Sequence, residues 1–90
     1  MVEAAKLIRQ ARPVYPPELQ QLGVEGTVVL SAVISKDGTV LSPAVRNTVD
    51  PRFAAAAIEA VRQWVYQPAL LNGEPVETVT TITLDFQLGQ

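Results

Sequence analysis

Residues 25–39 read Glu-Gly-Thr-Val-Val-Leu-Ser-Ala-Val-Ile-Ser-Lys-Asp-Gly-Thr. Val28, Leu30, Ala32 and Ile34 fall on one side of this stretch, and Thr27, Ser31 and Ser35 on the other. That is the two-residue period of a half-buried strand. Asp37-Gly38 then supplies the positive φ of a tight hairpin turn. A return strand is expected over about Thr39 to Asn47. Pro43 brings no N–H to a ladder, which predicts an edge position or a bulge there.

Further along the chain, Asp50-Pro51 predicts a helix start: Asp50 can cap free N–H groups and Pro51 fits the first helical position. Phe53, Ala57, Val61 and Trp64 recur at helical spacing, predicting a helix to about Tyr66, with Pro68 ending it. Asn72-Gly73 marks a second turn. From Val76 to Leu88 apolar and polar residues alternate, predicting one strand of roughly 13 residues against a usual ~5–6. Only Val79 breaks its polar side.

Toward the N-terminus, prolines 13, 16 and 17 predict an extended lead-in followed by a short helix from Pro17 to Leu22, closed by Gly23. Residues 2–11 are good helix formers with a weak apolar stripe. Residues 1–11 are therefore expected to be a helical tail or linker remnant, and residues 12–90 the domain. The expected fold is α+β: a short helix, then β-β-α-β, with a three-stranded antiparallel sheet carrying one main helix on its apolar face.

Composition narrows function. The chain has 90 residues, no cysteine and no histidine, so disulfides, thiolate metal sites and the usual general base are all missing. The net charge is −2, with the seven Lys and Arg residues scattered, which argues against nucleic acid. No apolar run approaches the ~18–20 residues that span a bilayer. Met1–Arg12 shows no signal-peptide pattern, so any targeting segment is expected in a longer parent chain. The acids form no close pair, and no base accompanies Ser31, Ser35 or Ser42. No catalysis, cofactor or metal is expected.

Recognition is the remaining class. Pro13-Val14-Tyr15-Pro16 can pack Tyr15 on the core or bind a partner, and both roles stay open. Trp64 and Tyr66 are expected in the core. The long final strand should leave an edge with unpaired main-chain groups, able to accept a peptide as an added strand.

Five segments, in order, resemble the TonB C-terminal domain family. They are Pro13-Val14-Tyr15-Pro16; Glu25-Gly26-Thr27-Val28 with Asp37-Gly38-Thr39-Val40; Asp50 followed by Phe53–Val61; Arg62-Gln63-Trp64-Val65-Tyr66-Gln67-Pro68-Ala69; and Asn72–Val76 with the closing strand through Phe86 and Leu88. Arg12 stands where the family usually has Gln. The resemblance implies a periplasmic domain of a Gram-negative envelope protein, with a parent chain anchored in the inner membrane. Such a domain couples proton-motive force, through inner-membrane motor proteins, to outer-membrane receptors that import siderophores and vitamin B12. A TonB-dependent receptor's extended box would add to the last strand. Carried over, the implied partner-binding residues are Arg12, Pro13, Tyr15, Pro16, Glu77, Val79, Thr81, Thr83 and Asp85. The other reading is a structural or oligomerisation module, a homodimer pairing through the same edge.

Overall fold

The computed structural model describes residues 1–89; Gln90, the last residue of the expected domain, lies outside them. The order is β1 (Val2–Glu3), β2 (Lys6–Arg9), α1 (Pro17–Gln21), β3 (Gly26–Ile34), β4 (Val40–Asn47), α2 (Pro51–Val61), β5 (Val65–Gln67), β6 (Ala69–Leu71), β7 (Glu74–Val76) and β8 (Thr78–Phe86). The main sheet has the order β4-β3-β8, all antiparallel. Two small antiparallel groups, β1-β6-β7 and β2-β5, extend the molecule to 49 Å along its longest axis. The α+β architecture is the one the sequence predicts.

β3 is the centre of the main sheet because it can pair on both sides. It meets β8 in unbroken register from Gly26↔Phe86 to Ile34↔Thr78. Against β4 the register shifts twice, once between Ser31 and Val33, opposite Ser42 and Pro43. Ser42 there has φ 50°. Pro43 thus sits in an irregular edge strand, where its missing N–H costs little. Val28, Leu30, Ala32 and Ile34 are all buried against Phe53, Ala57 and Val61 of α2.

Asp50 caps α2 as expected, its Oδ1 accepting the Arg52 N–H at 2.8 Å. The Arg52 side chain turns back to Asp50 at 2.9 Å and reaches Glu18 of α1 at 3.2 Å, tying the two helix starts together. α2 ends at Val61, five residues short of the expected Tyr66. Strand pairing overrides the helical spacing there: Tyr66 N–H donates to the Gly38 carbonyl at 2.8 Å, and Val65 bridges Thr39. Gly38 is required at this crossing. Its φ is +88°, and a Cβ would lie 1.9 Å from the Tyr66 carbonyl oxygen.

Two further expectations are corrected. Residues 2–11 are not helical; β1 and β2 pair antiparallel with β6 and β5. An isolated ten-residue helix is marginal in water, whereas residues 65–71 offer strand edges to pair with. The Trp64 indole N–H also donates to the Ala11 carbonyl at 2.9 Å, holding the arm down. The single strand over residues 76–88 is in fact two. β7 folds back on β6 through Asn72 (φ 53°) and Gly73 (φ 84°), a turn with both φ positive, and β8 starts afresh at Thr78.

Candidate partner-binding site

The lead-in segment is fixed at Tyr15. Its ring stands edge-on to Phe53 of α2 and to Phe86 at the end of β8, with centroids 5.6 Å away in both cases. Phe53 and Phe86 stack on each other at 4.6 Å. The Tyr15 hydroxyl donates to the Val24 carbonyl. Burial first, and the Glu25 carboxylate second, raise the Tyr15 hydroxyl above its ordinary pKa. The aromatic ring therefore packs, as one of the two readings of this segment holds, and that packing positions its neighbours.

Those neighbours form a cleft of about 350 Å³, lined by Arg12, Pro13 and Tyr15 on one side and Asp85, Phe86 and Gln87 on the other. Asp85 accepts from the Thr27 hydroxyl at 2.8 Å, across the β3–β8 register pair. Beyond β8 the Leu88 N–H donates to Glu25 at 2.7 Å, which steers the chain past the cleft. Four of the nine candidates, Arg12, Pro13, Tyr15 and Asp85, are thus brought together. Phe86 and Gln87 join them. Phe86 reads as core and Gln87 as solvated face, so nothing in the alternation pointed to either as a cleft residue.

The other candidates lie elsewhere along β8 or off it. Val79, Thr81 and Thr83 project from the exposed side of the strand, Val79 with 75% of its surface in solvent. Glu77 is exposed in the link between β7 and β8. Pro16 precedes α1 and its carbonyl accepts from Gln20 N–H, a helix-start role outside the cleft lining.

β8 pairs with β3 on one side, and among the described residues no strand pairs with its other side. The N-terminal arm does not fill this edge, because its strands go to β5 and β6. Elsewhere the polar groups are structural. Ser35 bonds Asp37 and Thr39 within the hairpin turn, and its hydroxyl, followed by the local main chain and Thr39, holds the Asp37 carboxyl below its usual range. Arg52 does the same for Asp50. Among the described residues no group of three acids could hold a metal ion, and no helix is long and apolar enough to cross a membrane.

This geometry has known counterparts. The family model for the Gram-negative bacterial TonB protein C-terminal matches residues 11–88. Protein TonB of Vibrio cholerae is 31% identical over 84 residues, covering 88% of this chain and 33% of that protein. Protein TonB of Xanthomonas campestris pv. campestris is 29% identical over 77 residues, covering 84% and 34%. The chain thus spans about a third of the length of these curated relatives. Among solved structures, the Pseudomonas aeruginosa TonB C-terminal domain superposes with a TM-score of 0.81 at 28% identity, over 96% of this chain and 88% of that one. The TonB2 protein of Vibrio anguillarum gives 0.70 at 30% identity, over 98% and 85%. With the family match running from the lead-in segment through the end of the last strand, the chain belongs to the Gram-negative bacterial TonB C-terminal domain family.

Proposed function

We propose that this chain is the receptor-docking domain of a TonB-type energy transducer, binding an extended segment of a TonB-dependent outer-membrane receptor as a strand added to β8. The open side of β8 carries the proposal: its partner-free main-chain groups supply affinity, and flanking side chains supply selectivity. The cleft of Arg12, Pro13, Tyr15 and Asp85 lies at one end of that edge and can receive one end of the guest. Thr81 and Thr83 flank its middle, with Val79 and Glu77 at the other end. In this role the domain works in the periplasm. A parent chain anchored in the inner membrane would link it to motor proteins driven by the proton-motive force. The domain binds and transmits; it catalyses nothing.

The same open edge supports a second reading, a homodimer in which β8 pairs with its copy. Two measurements separate them. Titrating labelled chain with receptor box peptides should shift amides across roughly residues 77–86, while light scattering stays monomeric over a concentration series. Shifts confined to α2, or none with any box peptide, contradict docking; a concentration-dependent dimer favours the second reading.

A further inference from the structure

A second cavity, of about 290 Å³, borders the opposite end of β8. Val2, Ala4 and Ala5 of the N-terminal arm form one wall, Thr78–Thr80 form the other, and the buried Ala69 completes the lining. Every lining side chain is apolar apart from the two threonine hydroxyls. The cavity abuts the edge to which, on the reading proposed above, the guest strand adds. In a paired strand, side chains in register with Thr78 and Thr80 point to the same side as those residues. That side holds Ile82, Leu84 and Phe86, all buried, and the partly buried Ala5 packed on the core.

We infer that this cavity is an apolar subsite for one aliphatic side chain of the guest strand, and that the N-terminal arm contributes to partner selection. The inference rests on strand addition to β8. Residues 2–5 lie before the segment matched by the family model, residues 11–88, so this wall is built by the N-terminal arm. From Val79 to Phe86 the edge runs eight residues, seven steps spanning about 23 Å. The guest thus meets an apolar subsite at one end and the cleft bearing Arg12 and Asp85 at the other. The free arm is held by main-chain pairing of Val2 and Glu3 with Leu71 and Leu70, and by the Asn72 N–H donating to the Met1 carbonyl at 2.9 Å, so the wall is built before any guest arrives.

The test uses the full chain and a set of Thr/Ser-rich heptapeptides in which a single Leu is moved through all seven positions. Binding is followed by amide shifts and calorimetry. One terminal position should prefer Leu over Ser by about tenfold, and that peptide alone should move the amides of Ala4 and Ala5 in the arm. Ala4→Glu, which places a charge on the wall, and Ala4→Leu, which fills the cavity, should each reduce the preference to within about twofold. Equal binding by all seven peptides, or a Leu preference that survives both variants, overturns the subsite. If Ile82–Phe86 shift without any Leu preference, strand addition stands and the subsite falls. If no peptide moves any β8 amide, both fall together.

Discussion

Tyr15 stands edge-on to Phe86, their planes 86° apart, so the lead-in segment and the end of the last strand share one aromatic cluster. The contact joins residues at opposite ends of the chain and fixes the cleft between them. Tyr15→Ala should cost about 2–4 kcal/mol of stability in denaturant melts, since the ring is part-buried rather than fully enclosed. Tyr15→Phe keeps the packing and loses only the bond to the Val24 carbonyl, so its cost should be about 1 kcal/mol. Equal losses in the two variants would show that the hydroxyl, not the ring, anchors the segment.

Gly38 and Gly73 both have positive φ, but only Gly38 is crowded. Gly73→Ala should cost about 1 kcal/mol, from backbone conformation alone. Gly38→Ala should cost more than about 2 kcal/mol, because the new methyl must displace the Tyr66 carbonyl and loosen the hairpin from β5. Thermal melts of the two variants decide this; similar losses would contradict the close approach.

The carboxyls of Asp37 and Asp50 are held below their usual range, the first chiefly by the Ser35 hydroxyl and the second by Arg52. Lowered folded-state pKa values mean stability that is present above about pH 4, the unfolded carboxylate value, and lost as pH falls through the folded values. The double variant Asp37→Asn, Asp50→Asn should therefore be less stable near neutrality and show a flatter stability curve below pH 4. Parallel curves for variant and parent would remove the linkage.

Val79 is an exposed apolar residue on the strand proposed to accept a guest. Val79→Lys should change stability by less than about 0.5 kcal/mol. It should weaken receptor-peptide binding severalfold, as charge on an open edge discourages strand addition. Unchanged affinity, measured by calorimetry, would place the guest elsewhere.

Much of this molecule is legible locally. Alternation in Val28–Ile34, the Asp37-Gly38 turn and the Asp50-Pro51 cap each encode their element within a few residues, and the sheet with its helix follows. What stays hidden depends on distant partners. Helical spacing runs on through Trp64, yet Tyr66 is claimed by the Gly38 carbonyl. A two-residue period is identical before and after Glu77, so it does not reveal where β7 ends and β8 begins. Residues 2–9 favour helix alone and become strands only because residues 65–71 lie beside them. For the site, the family resemblance implied Arg12, Pro13, Tyr15 and Asp85, while Gln87 and the arm's apolar wall needed the tertiary fold.

The open side of β8 is tested most directly by amide hydrogen exchange along Thr78–Phe86, with and without a receptor box peptide. In the free monomer every second amide, the set facing away from β3, should exchange quickly while the others are protected, and saturating peptide should protect the fast set as well. Uniform protection in the free monomer, or a fast set untouched by bound peptide, would contradict strand addition at this edge.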